Sequence, residues 1–254
     1  RKAEEADVVV VNHHLLFADI ALKDQSHGEI LPKFKAYILD EAHQVPDTAT
    51  RFFSKALSSR QIRDLIKDVQ FEAGQLAGGF GVVQETLREI QMSSQRLTLE
   101  FASLNDRGTA QDIEQHAKIP SLFSTLGEQL SKLFSELEPL AESTRGLANV
   151  HQRCQRLHQL LIQYTQGEVD AVRWYETRQR GFSIHITPLD IATPFNVFRE
   201  KNPAAWVFTS ATLAVGEKFT HFSERMGLED ATTLRVESPF DHRHNGLCWL
   251  PQDL

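Results

Sequence analysis

An acidic pair, Asp40 and Glu41, directly follows the short apolar run at residues 37–39 and precedes Ala42 and His43. Such a run is typical of a strand buried on both faces of a parallel sheet, and α/β proteins bind their ligands where those strands end. An aspartate there can hold Mg²⁺ on a nucleotide, and a neighbouring glutamate can orient water for attack on the terminal phosphoryl group. The chain is therefore expected to have an α/β fold with a nucleotide site at this strand end. An Asp-Glu pair can also simply cap the helix that follows a strand, so this segment alone leaves a structural role open.

A second apolar segment ends in hydroxyl-bearing residues. Residues 204–208 read Ala-Ala-Trp-Val-Phe and lead into Thr-Ser-Ala-Thr-Leu at 209–213, which includes Ser210 and Thr212. Hydroxyl groups both donate and accept hydrogen bonds, so they can bind an acidic segment at the end of a neighbouring strand. Two strands of this kind, in this order, favour the nucleotide-site interpretation over chance.

Between these two strands the sequence has the period of helices. From Ser58 to Gly167 apolar residues recur at alternating steps of three and four, the spacing of helices that pack on one another. The stripes comprise Val83, Leu87, Ile90, Leu97, Phe101 and Leu104, then Leu122, Leu126, Leu130, Leu133, Leu137 and Leu140, then Leu147, Val150, Cys154, Leu157, Leu161 and Tyr164. We interpret these stripes as core, with Cys154 as a small buried hydrophobe.

A basic hairpin is predicted after the helical block. Residues 172–176 and 182–186 have strand character, and a turn separates them. Arg173, Arg178 and Arg180 lie here with two aromatic residues, a mixture that suits a single-stranded nucleic acid backbone and stacked bases. The simpler interpretation is a half-buried hairpin with a solvated tip, and the pattern favours it.

The run of four valines at residues 8–11 predicts another buried parallel strand, which ends at Asn12 and His13. A metal site is not expected there, because adjacent residues point in different directions on a helix and no His or Cys pair follows at ligand spacing. A polar strand end that faces nucleic acid or a neighbouring loop is the preferred interpretation of Asn12 and His13.

Composition narrows the class of protein. The net charge of −7 argues against a surface coated with positive charge for nonspecific DNA binding, although it leaves room for a few local contacts in a groove. The two cysteines make neither a disulfide framework nor a cluster site, and no apolar stretch is long enough to span a membrane. We expect a protein of a reducing cytoplasm, without a membrane partner.

Taken in order, these segments resemble those of the XPD-like iron–sulfur DNA helicases. The resemblance rests on Val-Val-Val-Val-Asn-His-His-Leu-Leu at 8–16, Leu-Asp-Glu-Ala-His at 39–43, the long helical insertion, Thr-Ser-Ala-Thr-Leu at 209–213 and Ser-Pro-Phe-Asp at 238–241. Within that family the pattern is most similar to the bacterial DinG/YoaA branch, and to its YoaA side in particular. It covers essentially the whole chain.

The resemblance implies a superfamily 2 helicase that hydrolyses ATP with Mg²⁺, carries a 4Fe-4S cluster and moves 5′ to 3′ along single-stranded DNA in DNA repair or replication. It implies a partial RecA-like parallel-sheet motor domain 1 at residues 1–55 and 171–213, interrupted by an all-helical Arch insertion at 56–170. Residues 214–254 would then lead into motor domain 2. A replication or repair protein is a further partner that such an enzyme would have.

The family's site residues map onto the two strand ends. Asp40 would hold Mg²⁺, Glu41 would activate water, and His43 with Ser210 and Thr212 would couple hydrolysis to movement. The residues expected to contact DNA are Asn12, His13, Arg173, Arg178 and Arg180.

The chain also departs from the family pattern. It contains no Gly-Lys-Thr phosphate loop, and the cysteine cluster expected just before the first strand is missing. We therefore interpret the chain as a fragment, and we expect little or no ATPase activity from it without the lysine and backbone cradle that hold phosphates. Two other classes stay open: a helical protein-interaction module on an α/β scaffold, and an Asp-Glu-box ATPase that is not a helicase.

Overall fold

The structure, a computed structural model, describes residues 3, 5–24, 30–76, 79–167, 170–247 and 249. Its helices are α1 His13–Asp24, α2 Val45–Phe53, α3 Ser59–Gly74, α4 Gly79–Phe101, α5 Ala110–Glu114, α6 Ile119–Ala141, α7 Arg145–Gln166, α8 Ala192–Lys201, α9 Thr220–Met226 and α10 His242–Asn245, with a 3-10 turn at Ala42–Gln44. Its strands are β1 Ala36–Leu39, β2 Lys55–Ser58, β3 Arg107–Thr109, β4 Ala171–Arg178, β5 Gly181–Pro188 and β6 Ala205–Phe208. The predicted α/β class is confirmed.

The strands that lead to the acidic and hydroxyl segments pair with each other. β1 and β6 form a parallel sheet in which Tyr37 lies opposite Trp206, and the two rings stack with centroids 4.2 Å apart. Apolar residues of three helices share the core of this sheet: Phe17, Ile20, Phe195, Phe198, Phe222 and Met226. The expected burial on both faces is wrong for the described residues, because Ile38 is 72% exposed and Val207 is 47% exposed. Alternate side chains of a strand point to opposite faces, and the helices cover only one of them.

β4 and β5 form the predicted hairpin, and two further strands complete an antiparallel sheet in the order β2-β5-β4-β3. This sheet packs on the helices, since Phe182 of β5 stacks on Phe101 of α4 with centroids 4.4 Å apart. Tyr175 and Ile184 belong to the same core. The expectation of an all-helical insertion is therefore corrected, because β3 lies within it and β2 at its start. Strands of three and four residues carry too little pattern to be predicted, and they form here because the hairpin offers them hydrogen-bonding edges.

The helical stripes form the larger of the two cores. α3 begins with a capping box, in which Ser58 Oγ accepts from the Gln61 amide while the Gln61 side chain accepts from the Ser58 amide. The stripe positions named above are buried together in one cluster, except that Leu104, Leu122 and Leu140 are only partly buried against it. This burial confirms that the stripes are packing surfaces. Full burial of one leucine side chain contributes about 1.5–3 kcal/mol to the free energy of folding relative to an exposed one. None of the described helices is both long and apolar enough to cross a membrane.

The prediction of a strand at residues 8–11 is wrong. These residues form no strand, and Val8 and Val10 are 79% and 92% exposed. A strand needs a hydrogen-bonded neighbour, and the described part of the chain places none beside this segment. The backbone instead enters α1, and Asn12 Oδ1 accepts a hydrogen bond from the Leu15 amide at 2.8 Å in the first turn.

Candidate active site

Parallel pairing brings the acidic and hydroxyl segments to the same edge of the small sheet. Beyond the last strand pair, the Thr209 amide donates to the Leu39 carbonyl at 2.9 Å, and the Ala42 amide donates to the Thr209 carbonyl at 2.9 Å. These two bonds extend the strand ladder to the start of the 3-10 turn. They hold residues 209–212 in register against residues 40–43, so that their side chains meet.

Ser210 lies at the centre of the resulting side-chain network. Its Oγ is 2.9 Å from His43 Nδ1, 3.4 Å from Glu41 Oε2 and 3.4 Å from Thr212 Oγ1. It also accepts a hydrogen bond from the Thr212 amide at 3.2 Å. His43 Nδ1 is in addition 3.3 Å from Glu41 Oε2. The network therefore connects the acidic strand end to the hydroxyl strand end through one oxygen atom.

The hydrogen-bonding capacity of a serine hydroxyl restricts the proton arrangement. A hydroxyl donates once and accepts twice. Three of the four contacts of Ser210 Oγ, all except the one with Thr212 Oγ1, are satisfied together when His43 donates from Nδ1, the Thr212 amide donates as well, and the Ser210 hydroxyl donates to the Glu41 carboxylate. A charged acceptor makes that last bond about twice as strong as a neutral one would.

Asp40 is held from the other strand by Thr209, whose Oγ1 donates to Asp40 Oδ1 at 2.9 Å. No other described residue binds the Asp40 carboxylate, so its second oxygen is open to a ligand. Carboxylate oxygens are preferred ligands of Mg²⁺. The position and chemistry of Asp40 therefore fit the role expected from the sequence.

Glu41 has a strained backbone. Its φ of 48° and ψ of 43° are left-handed, and it is the one described non-glycine residue with positive φ. That conformation costs an L-residue roughly 1–2 kcal/mol, and such strain clusters at functional sites. The Glu41 side chain remains 58% exposed, so its carboxylate is open to water or to a ligand.

The site fits Mg²⁺ on a nucleotide better than a free metal ion. The described residues contain no group of three or more His, Cys, Asp or Glu side chains that could hold a metal. Mg²⁺ in nucleotide enzymes takes one or two carboxylates and completes its shell with phosphate oxygens and water, and Asp40 can supply such a carboxylate. The sequence contains no Gly-Lys-Ser or Gly-Lys-Thr segment that would cradle those phosphates.

The residues of this chain do not fit a 4Fe-4S cluster. Such a cluster is held by four cysteine thiolates, and the sequence contains two cysteines. Cys154 is buried in the helical core, where its Sγ donates to the Leu130 carbonyl at 3.3 Å. Burial raises the pKa of the Cys154 thiol to about 12, so the thiolate needed for ligation is disfavoured.

Asn12 and His13 lie at the start of α1 and not at a strand end. Asn12 satisfies the first turn of that helix as described above, and His13 is half-buried. Helix capping accounts for Asn12 without a nucleic acid. The described contacts do not connect either residue to the Ser210 network.

Arg173 and Arg178 each form an ion pair with a carboxylate. Arg173 Nη2 lies 3.1 Å from Glu114 Oε1, and Arg178 Nη2 lies 3.3 Å from Glu176 Oε2. Glu176 is shared with Arg107, whose hydrogen bond is the main reason that the pKa of the Glu176 carboxyl is lowered. Both predicted arginines therefore have less free charge than the sequence suggested.

Arg180 differs from these two, because it is exposed and lines a cleft of about 620 Å³ together with Arg63 and Lys67 of α3. Sequence reasoning missed Arg63 and Lys67, since cations on the solvent face of an amphipathic helix are ordinary.

The sequence analysis also assigned no role to Thr209, which binds Asp40. The available signal was its position directly after β6, opposite the residue that follows β1.

The amino-acid sequence of the chain is similar to those of several known proteins. No family model matches the chain. The ATP-dependent DNA helicase YoaA of Haemophilus influenzae is 36% identical over 262 residues, which cover 100% of this chain and 40% of that protein. YoaA of Escherichia coli is 33% identical over 261 residues, which cover 100% of this chain and 40% of that protein. The 3′-5′ exonuclease DinG of Bacillus subtilis is 26% identical over 313 residues, which cover 99% of this chain and 32% of that protein. The chain thus spans about 40% of the length of the YoaA proteins it matches. With this similarity along its whole length, and with the acidic and hydroxyl segments joined as described, the chain is a homologue of the YoaA and DinG proteins.

Proposed function

We propose that the intact protein is an ATP-dependent DNA helicase whose nucleotide site includes Asp40, Glu41 and His43. The two YoaA relatives carry that name. The observation that supports the proposal best is the position of Ser210 Oγ, within hydrogen-bonding distance of both His43 and Glu41. A motor needs its hydrolytic residues connected to an element that can move, and this contact provides such a connection.

The chemistry is divided between the two strand ends. Bound ATP and Mg²⁺ would supply the phosphoryl group and neutralise the charge that develops on it. In this proposal Asp40, held in place by Thr209, offers its open carboxylate oxygen to the cation. Glu41 orients the attacking water and accepts a proton from it, as its exposure permits.

Coupling follows from the hydrogen bond between Ser210 and Glu41. A proton gained by Glu41 weakens that bond, because its acceptor loses its charge. Ser210 and His43 then rearrange, and Thr212 follows because its amide is bound to Ser210 Oγ. The hydroxyl segment thus responds to the state of the acidic segment.

We propose a domain division in which the hairpin belongs to the insertion. The sequence placed residues 171–213 in motor domain 1 and 56–170 in the insertion. The hairpin shares its core with the helices through Tyr175 and Phe182, which supports assigning residues 55–188 to the insertion. Residues 1–54 and 189–213 would then form the motor part, and 214–254 the connection to motor domain 2.

Direction and biological role come from the resemblance alone. We propose movement from 5′ to 3′ on single-stranded DNA, in DNA repair or replication, with any 4Fe-4S cluster held by residues outside these 254. The alternative of a helical protein-interaction module has less support, because the leucine stripes are buried in the core and are not exposed for a partner.

Substitution of Glu41 by glutamine in the intact protein tests this proposal. Loss of a general base typically costs about 10²–10⁴-fold in rate, so phosphate release in the presence of single-stranded DNA should fall by at least about 100-fold while ATP binding persists. The matched control is Glu138→Gln, which neutralises an exposed glutamate on α6 of the helical block and should leave the rate unchanged. Hydrolysis by Glu41→Gln at the wild-type rate would show that the proposal is wrong.

A further inference from the structure

We propose that a small pocket between α8 and the start of β6, here called the Arg199 pocket, binds a carboxylate group. The pocket has a volume of about 280 Å³ and is lined by Asn196, Arg199, Glu200, Pro203, Ala204 and Trp206. Trp206 precedes Ser210 by four residues of extended chain, which is about 13 Å at about 3.3 Å per residue. The Arg199 pocket is therefore separate from the nucleotide site, and its ligand does not depend on the proposed function.

Two buried N–H groups of the Arg199 pocket are the first argument. Arg199 Nε and Trp206 Nε1 have no hydrogen-bond partner in the part of the chain that the structure describes. Most buried polar groups in folded proteins are hydrogen-bonded, so two such donors in the lining of one pocket call for an explanation. A guanidinium and an indole N–H can donate but cannot accept. A ligand that binds both groups must therefore be an acceptor.

The orientation of the Arg199 guanidinium is the second argument. Its Nη1 donates to Asn196 Oδ1 at 3.0 Å, and Asn196 Nδ2 donates in turn to the Gly227 carbonyl at 3.2 Å. Gly227 has a left-handed φ of 63°, and a Cβ at this position would overlap Asn196 Nδ2, so only glycine permits this approach. With Nη1 engaged, Nε and Nη2 remain as two parallel donors. Arginine binds carboxylates through such a pair of hydrogen bonds.

Phe195 holds the arginine and the tryptophan close to each other. The Arg199 guanidinium carbon lies 6.0 Å from the centroid of the Phe195 ring in a cation–π contact. The Trp206 ring meets the same phenylalanine edge-on, with centroids 5.3 Å apart, and stacks on Tyr37. The donors are thus fixed in place before a ligand binds, which lowers the entropic cost of binding.

The charges at the Arg199 pocket favour an anion with one negative charge. Arg199 forms no ion pair within the described residues, so its positive charge is available to a ligand. Glu200 is exposed and also lines the pocket, and its negative charge repels a phosphate dianion more strongly than a carboxylate. Pro203 and Ala204 add apolar surface that can contact a short aliphatic stem. These features together indicate a carboxylate on an aliphatic chain.

The same group can come from two sources. One is a free small carboxylic acid, and the other is an aspartate or glutamate from residues of the intact protein beyond these 254. The YoaA proteins are longer than this chain, which covers 40% of them. The experiment below distinguishes the two sources.

The test follows the indole N–H signal of Trp206 by two-dimensional ¹H–¹⁵N NMR while sodium propionate is added to the 254-residue chain. The sequence contains three tryptophans, so Trp174→Phe and Trp249→Phe identify the Trp206 signal by elimination. A new hydrogen bond to a carboxylate should move the Trp206 proton signal downfield. The Trp174 indole already donates to Thr187 Oγ1 at 3.0 Å, so its signal should stay in place. Sodium chloride at equal ionic strength should move neither signal.

The variant is Arg199→Lys, because lysine keeps the positive charge and loses the two parallel donors. Propionate binding, read from the concentration dependence of the Trp206 shift, should weaken by about 10-fold or more, as expected for one lost hydrogen bond to a charged group. The matched control is Arg88→Lys, which makes the same change at an exposed residue of α4 and should bind propionate as the wild type does. Circular dichroism checks that both variants keep their helices.

Three results in the 254-residue chain would overturn the proposal: an unmoved Trp206 signal in the wild type, equal binding by Arg199→Lys, or tighter binding of inorganic phosphate than of propionate. The wild-type titration decides even if Arg199→Lys does not fold. None of these measurements needs ATP hydrolysis, so failure here is distinguishable from failure of the Glu41 test.

The intact protein, labelled with ¹⁵N at tryptophan, identifies the source of the carboxylate. A Trp206 signal that already lies at the propionate-bound position and does not move assigns the carboxylate to the protein itself. A signal that moves as it does in the 254-residue chain assigns it to a free ligand. A signal at the unbound position that does not move would overturn the proposal for the intact protein.

Discussion

The contact between His43 and Ser210 makes a quantitative prediction about stability. His43 Nδ1 and Ser210 Oγ are 2.9 Å apart, and the His43 side chain is 40% exposed to solvent. A net intramolecular hydrogen bond is worth about 0.5–1.5 kcal/mol, and exposure places this one in the lower half of that range. A double-mutant cycle of His43→Ala and Ser210→Ala should therefore give a coupling free energy of about 0.5–1 kcal/mol.

The assay is urea unfolding followed by tryptophan fluorescence. Trp206 reports on the parallel sheet, because it stacks on Tyr37 across the β1–β6 pair. Trp174 lies in the other sheet, so a Trp174→Phe background isolates the signal of interest. Trp249 is 79% exposed and should change little on unfolding.

A second cycle serves as the control. His221 is exposed and forms no contact with Ser210 among the described residues, so His221→Ala and Ser210→Ala should be additive within about 0.3–0.5 kcal/mol. A coupling below about 0.3 kcal/mol for His43 with Ser210 would refute the network as the connection between the two strand ends.

Three further results are expected. Leu133→Ala removes a side chain with 0% exposure and should cost about 2–5 kcal/mol in the free energy of unfolding, measured by urea titration, whereas a cost below about 1 kcal/mol would contradict the described core. Burial lowers the pKa of His185 below its usual 6.5, so the imidazole binds a proton more readily in the unfolded chain and the free energy of unfolding should fall as pH drops below about 6.5. His185→Phe keeps a ring stacked on Trp174 and should flatten the pH dependence of the free energy of unfolding in that range. An unchanged pH dependence in His185→Phe would exclude His185 as the cause. The 254-residue chain should release no more phosphate from ATP than its Glu41→Gln variant, since it has no Gly-Lys-Thr loop, and turnover that the variant loses would contradict this expectation.

The helical part of the fold was predictable because its signal is long. Stripes such as Leu126 to Leu137 repeat over several turns, and every member is buried as expected. The hairpin was predictable because two runs with strand character flank a clear turn. β3 at Arg107–Thr109 was not, because three residues with one glycine have no strand character of their own and take it from pairing with β4.

The valine run at residues 8–11 shows the opposite case. Its β-branched residues favour a strand, but propensity cannot form a strand without a neighbouring edge. Val8 and Val10 are exposed because no strand among the described residues pairs with this segment. The outward side chains Ile38 and Val207 show the same limit, because which face of a sheet is covered depends on tertiary packing.

The candidate site was partly predictable. Asp40, Glu41, His43 and Ser210 were identified from strand ends and from the family resemblance. The structure joins Glu41 and His43 to Ser210, and it binds Asp40 to the neighbouring Thr209. The left-handed backbone of Glu41 was not predictable, since it depends on how the chain turns from β1 into the next helix. Predicted arginines lost their free charge to carboxylates such as Glu114 that only the folded chain brings near.

The central claim is that the Ser210 network transmits hydrolysis at Glu41 to movement on DNA. The most direct measurement is the number of ATP molecules hydrolysed per base pair separated by the intact protein, compared between the wild type and Ser210→Ala. The account predicts that Ser210→Ala continues to hydrolyse ATP, because Asp40 and Glu41 remain, but separates several-fold fewer base pairs per ATP. An unchanged ratio in Ser210→Ala would contradict the coupling role of Ser210.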